Sequence, residues 1–136
     1  MVNYYLKNGF KYWRRMIKLF YRFGKKEEFS EITANSLFER FNSNEPPLII
    51  DIRSAKEFNE VGHIPDAKHI PIRELNSNIE NLQSFKEKEI VTICPGGGLS
   101  LIAVDLFLEA DFQDVKSLHG GLDLWIEKGY PITTTS

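Results

Sequence analysis

The chain has 136 residues and a single cysteine, Cys94. One cysteine excludes an internal disulfide framework and any cysteine-rich metal site, and it suits a reducing compartment. Only three histidines are present, and the scatter of His63, His69 and His119 matches no zinc spacing. Neither a metal nor a resident cofactor is expected. No apolar run approaches a bilayer span, and none supplies the continuous apolar core of a secretory signal. Acids are absent from residues 1–26, and no charged side chain lies between Cys94 and Val104. What remains is ordinary globular composition, 42% hydrophobic and 26% charged, with the length of one domain and enough chain to bury a core.

The missing acids divide the chain into two pieces. Residues 1–26 carry eight Lys/Arg, whereas residues 27–136 carry nine Lys/Arg against nineteen Asp/Glu. Within the basic arm, Leu6, Phe10, Trp13, Ile17 and Phe20 recur at steps of three and four, so residues 3–23 read as one amphipathic helix. Lys7, Lys11, Arg14, Lys18 and Arg22 fall on the opposite side, and Gly24 is a helix stop. An aromatic apolar face opposed by a purely cationic one suits an anionic membrane surface. Packing of the same face on the domain or on a second copy is the main alternative. Nucleic acid is not the expected partner, and a transit peptide is disfavoured by the lack of serine. The expected location is cytoplasmic, with peripheral attachment at the inner membrane face if the arm binds lipid.

From Phe29 onward, short apolar strands alternate with amphipathic helices. Thr33 or Asn35 caps a helix through Leu37, Phe38 and Phe41, and residues 42–47 form a loop. Residues 48–52 are apolar on both faces, as a buried parallel strand requires. A short helix capped by Ser54 follows through Phe58, then a turn over 62–67 and a short strand around 68–70. The remaining elements are a helix over 73–82, a strand over 89–93, a helix over 100–110, a strand over 115–118 and a helix over 121–128. This alternation predicts an α/β fold, an open parallel sheet with helices on both faces. Ligands in such sheets bind beyond the carboxyl ends of the strands, and Cys94 follows one such end.

The segment Cys94-Pro95-Gly96-Gly97-Gly98-Leu99-Ser100 joins the strand over 89–93 to the apolar helix. Glycines permit backbone angles that turn N–H groups inward as an anion-binding nest, and a helix N-terminus adds its positive dipole end. A thiol in that position is favoured as thiolate, the reactive form. Ser100 either caps the helix or hydrogen-bonds toward the sulfur, whereas Pro95 contributes no N–H. An inert buried thiol is the competing reading. Three adjacent glycines argue against it, because an inert strand end needs no such loop.

Four motifs occurring in order give a specific resemblance over residues 29–136. Asp51-Ile52-Arg53 matches Asp-x-Arg, and Gly62-His63-Ile64-Pro65-Asp66-Ala67 with Ile70-Pro71 matches Gly-His-Ile-x-x-Ala-x-x-Ile-Pro. Cys94, Gly97 and Ser100 match Cys-x-x-Gly-x-x-Ser. Gly120-Gly121, Trp125, Gly129 and Pro131 match a Gly-Gly-x-x-x-Trp-x-x-x-Gly-x-Pro tail. The chain thus resembles a single-domain rhodanese, and the resemblance does not reach residues 1–26. It implies a sulfurtransferase or sulfane-sulfur carrier that forms a persulfide on Cys94. The donor it implies is thiosulfate or a small persulfide, and the acceptor a thiol or a protein. Pro95 to Ser100 form the substrate-binding loop, and Asp51, Arg53 and His63 are structural supports. Trp125 is expected to anchor the core and His119 to be solvated or packed.

One departure matters. Many members of that family carry Arg or Lys in the loop, and here the loop is neutral. Weak thiosulfate activity is expected, and a persulfide or protein-bound sulfur is the expected donor. A related cysteine phosphatase would need a loop one residue longer with an arginine to clamp phosphate, and neither is present. A non-catalytic binding module, held at a membrane by its arm, is the remaining alternative.

Overall fold

The computed structural model describes residues 31–134. The basic arm at 1–26, the helix expected over 3–23 and the domain boundary at residue 27 lie outside them.

Five strands form one fully parallel sheet: β1 Glu31–Ile32, β2 Leu48–Asp51, β3 Lys68–His69, β4 Glu89–Ile93 and β5 Asp114–Leu118. Their spatial order is β1-β5-β4-β2-β3. Among the described residues the α-helices are α1 Ala34–Phe41, α2 Leu75–Asn78, α3 Leu99–Glu109 and α4 Gly121–Glu127. The parallel α/β architecture read from the sequence is thus borne out. Among the described residues no helix is long and apolar enough to cross a membrane.

Strand alternation divides the core in two. Ile50, Ile90, Cys94 and Val115 pack with Leu75, Leu82, Ala103, Val104 and Phe107 on the face covered by α2 and α3. Ile49, Val91, Ile93 and Leu118 pack with Ala34, Leu37, Leu122 and Trp125 on the face covered by α1 and α4. Adjacent strands β4 and β5 therefore send their following helices to opposite faces. Their carboxyl ends open a crevice between the two departing chains, the position at which open α/β sheets hold ligands.

Local chemistry explains the boundaries. Thr33 caps α1 by accepting the Ser36 N–H at 3.1 Å. Ser54 caps the following turn by accepting the Glu57 N–H at 3.2 Å, and its hydroxyl donates to the Glu57 carboxylate at 3.1 Å. The chain behind that cap does not stop at Phe58 as expected but continues as a π-helical turn over Glu57–Val61, ending at Gly62. The helix expected over 73–82 is instead a composite. A 3-10 turn over Ile72–Glu74 leads into α2, and a 3-10 run over Ile79–Phe85 follows. Ser77 and Asn78 side chains both donate to the Glu74 carbonyl, at 2.9 and 2.8 Å. Such local bonds compete with a regular α ladder.

Candidate active site

Cys94 follows β4, whose residues Ile90 to Ile93 are all buried. The thiol is itself buried, 1% exposed, and the outer rim of its loop consists of Gly96, Gly98 and Leu99. Two groups bond the sulfur: the Gly97 N–H donates to Sγ at 3.0 Å, and the thiol donates to Ser100 Oγ at 3.3 Å. The inward turn of N–H groups anticipated from the glycines therefore amounts to one backbone donor on the sulfur. Ser100 lies inside the first turn of α3, and its hydroxyl donates to the Gly97 carbonyl at 3.2 Å rather than capping the helix.

The glycines of the loop are not equivalent. Gly97 has φ of +94°, and a side chain there would meet the backbone of Leu118 and Gly120 at 3.2 and 3.0 Å. A Cβ at Gly96 or Gly98 would meet nothing within 4 Å. Only the middle glycine is required by backbone conformation and space; the outer two leave the loop bare.

A second loop locks the first. The N–H groups of Leu122 and Asp123, at the start of α4, donate to the carbonyls of Cys94 and Pro95 at 2.9 and 3.0 Å. Gly121, at φ of +62°, sits so close beneath that a Cβ would collide with both carbonyl oxygens. The Gly120-Gly121 pair thus lets one helix terminus satisfy the carbonyls that the cysteine turn leaves unpaired.

Polar side chains line the α3 side of the crevice. Thr92 and Ser117 are register partners on β4 and β5, and with Ser100 they are fully buried. Thr92 donates to the Ser100 carbonyl at 3.0 Å. Ser117 Oγ lies 3.2 Å from the Gly97 carbonyl and within hydrogen-bond reach of Ser100 Oγ, and its single proton serves one or the other. Sequence reasoning missed Thr92 and Ser117. The signal was the strand alternation, which puts both on the same buried face as Cys94.

Asp51, Arg53 and His63 come together apart from the sulfur. Arg53 Nη2 lies 2.8 Å from Asp51 Oδ2 with both side chains buried, and Nε adds a bond of 3.0 Å to Oδ1. The same Nη2 donates to the Gly62 carbonyl at 2.6 Å, tying the end of β2 to the turn before His63. His63 Nδ1 lies 2.8 Å from the Phe58 carbonyl, and its ring stacks on Phe58 with centroids 3.7 Å apart. A carbonyl only accepts, so Nδ1 carries the proton. His69 was not singled out from sequence. It stacks on Phe58 at 4.5 Å and bonds the Arg53 carbonyl through Nε2 at 2.8 Å.

His119 is exposed and contacts the Glu31 carboxylate at 3.0 Å. Trp125 is buried, and its indole N–H donates to the Pro131 carbonyl at 2.8 Å. His63 and Thr133 exchange backbone bonds of 2.8 Å, so the C-terminal stretch closes over Gly62. Among the described residues no cluster of His, Cys, Asp or Glu is arranged to hold a metal.

Fold and site together define a single-cysteine α/β domain with its thiol in a glycine turn at a strand's carboxyl end, held by a neighbouring helix terminus. The chain belongs to the rhodanese-like domain family, whose profile matches residues 33–128. A protein of Allochromatium vinosum named sulfurtransferase is 30% identical over 103 residues, covering 76% of this chain and 94% of the relative. The thiosulfate sulfurtransferase GlpE of Pseudomonas aeruginosa is 33% identical over 90 residues, covering 65% and 76%. Among solved structures, a rhodanese-like domain protein of Staphylococcus aureus superposes with a TM-score of 0.63 at 31% identity, covering 79% of this chain and 99% of the other. The rhodanese-like domain of an Anabaena protein gives 0.67 at 30% identity, covering 77% and 79%.

Proposed function

We propose that this domain is a sulfurtransferase or sulfane-sulfur carrier working through a persulfide on Cys94. The supporting observation is the environment of the sulfur. The only cysteine accepts a backbone N–H at 3.0 Å and meets a serine hydroxyl at 3.3 Å, where a strand enters a helix. Relatives named sulfurtransferases match most of the domain.

The Cys94 thiolate attacks the outer sulfur of the donor. Its new S–S bond forms as the donor's breaks, and the donor remnant leaves with the electron pair as thiolate, or as sulfite from thiosulfate. An acceptor thiolate, free or on a protein, then attacks the terminal sulfur and releases Cys94 as thiolate. Donors fixed before the reaction stabilise anionic sulfur without reorganising. Pro95 to Ser100 form the substrate loop, and Asp51, Arg53 and His63 brace the chain behind it.

The donor we favour is a small or protein-bound persulfide rather than thiosulfate. No cation lies within the loop, and the domain around it is acidic, although ionic screening limits that field beyond about 10 Å. Steady-state sulfur transfer from glutathione persulfide and from thiosulfate tests the reading. We expect ping-pong kinetics, a lower KM for the persulfide and no turnover by Cys94→Ser. A low KM for thiosulfate would contradict the donor preference. Equal turnover by Cys94→Ser would contradict the mechanism. Burial of the thiol favours a second reading, a binding module in which Cys94 only packs. Absence of turnover with either donor would move the assignment there, where the basic arm at residues 3–23 would hold the domain on an anionic membrane.

A further inference from the structure

Ser100 has one hydroxyl proton and more than one use for it. It donates to the Gly97 carbonyl while accepting from the Cys94 thiol. Once Cys94 loses its proton to solvent, the sulfur no longer donates and needs donors instead. Of the two groups already bonded to the sulfur, the Ser100 hydroxyl, turned through its rotor, can join the Gly97 N–H in that role. Turning it away from Gly97 would strip a buried carbonyl of a donor, which is costly in a dry interior.

Ser117 removes that cost. Its hydroxyl reaches the same Gly97 carbonyl at 3.2 Å and touches Ser100 Oγ, and both serines are fully buried. We infer that Ser117 is a positioning residue for the sulfur chemistry. By donating to Gly97 O, or to Ser100 Oγ itself, it frees Ser100 to donate to the Cys94 thiolate. Ser117 is not among the hydrogen-bond partners of the sulfur and acts through Ser100. The inference rests on Cys94 working as a thiolate, as the proposed function requires.

Charged groups on the packed elements do not provide the same service. From β2, Asp51 is closed onto Arg53; from β5, Lys116 is held by Asp114 at 2.8 Å and Glu89 at 3.5 Å. Asp123, at the start of α4, is exposed and reaches the loop through its backbone N–H, while α3 presents the uncharged Ser100, Ala103 and Val104 to the core.

The test is the rate of Cys94 alkylation by iodoacetamide across pH, read by intact mass in the full chain. Wild type, Ser100→Ala, Ser117→Ala, the double variant and Ser117→Thr are compared. A hydrogen bond to a charged group lost by this route slows the reaction near neutral pH about tenfold. We expect Ser117→Ala to show that loss, with rates converging on wild type at alkaline pH where every form is thiolate. Ser117→Ala should add nothing in the Ser100→Ala background, because its effect passes through Ser100. Ser117→Thr, which keeps the hydroxyl, should restore most of the rate. Independent, additive losses would overturn the inference, and so would a Ser117→Ala profile identical to wild type. Alkylation needs no sulfur donor. Failure of sulfur transfer alone would therefore count against the proposed function and leave this result standing.

Discussion

Replacing Gly121 by alanine should break the lock between the two loops. A Cβ there would lie 2.6 Å from the Pro95 carbonyl carbon, about 0.8 Å inside ordinary contact at 3.4 Å, and closer still to two carbonyl oxygens. All three neighbours are backbone, so no side chain can swing aside. The positive φ adds about 1 kcal/mol for a residue with a Cβ. Moving the strands of chain apart forfeits the Leu122 and Asp123 bonds to Cys94 and Pro95, about 1 kcal/mol each. The sum is about 3 kcal/mol, which in a domain of this size lowers Tm by roughly 15 °C. Gly96→Ala is the matched control, because a Cβ there meets nothing within 4 Å. It should stay within about 0.5 kcal/mol of wild type. Thermal denaturation followed by circular dichroism reads both. Equal stability of the two variants would refute the reasoning and would mean that the Gly121 turn is not needed to seat the cysteine loop.

Two further outcomes follow from the same geometry, and a third from the sequence of the basic arm. Arg53→Met leaves Asp51 buried with its charge uncompensated and takes a donor from Gly62 O. Urea denaturation should show a loss of about 3–5 kcal/mol, and a loss under about 1 kcal/mol would deny the brace its structural weight. Gly98→Arg places a cation at an open, exposed position of the cysteine loop. Its KM for thiosulfate should fall several-fold while that for glutathione persulfide changes little, and unchanged thiosulfate kinetics would remove the neutral loop as the cause of donor preference. If the arm at residues 3–23 binds a bilayer, the full chain should sediment with anionic vesicles at low salt and be released as salt rises. A chain left in the supernatant at every salt concentration would sink that attachment.

Much of the fold was legible because each signal was local. The strand over 89–93 is an apolar run between Lys88 and a glycine turn, and β4 occupies those same five positions. The last helix follows from Gly120-Gly121 and the apolar spacing behind them, and α4 starts at Gly121. The sequence misled at residues 72–85, where Ser77 and Asn78 divert backbone partners that periodicity alone assigns to a regular helix. Closure of Thr133 over His63 was invisible, because it joins segments about seventy residues apart in the chain.

The site divides the same way. Cys94 and its glycines were legible from composition and position. Burial of the thiol and the donation from α4 onto its loop depend on how two helices leave adjacent strands, which no local pattern records. Thr92 and Ser117 become partners only through the β4–β5 register, so each looked like an unremarkable strand hydroxyl. Phe58, stacked between His63 and His69, likewise turns two scattered histidines into one support.

The central claim is that Cys94 carries sulfur. Intact mass of the reduced full chain after exposure to glutathione persulfide, then after addition of a thiol acceptor, tests it most directly. The wild-type chain should gain one sulfur atom and lose it to the acceptor, and Cys94→Ser should gain none. An unchanged wild-type mass, with Cys94 still open to alkylation, would contradict it.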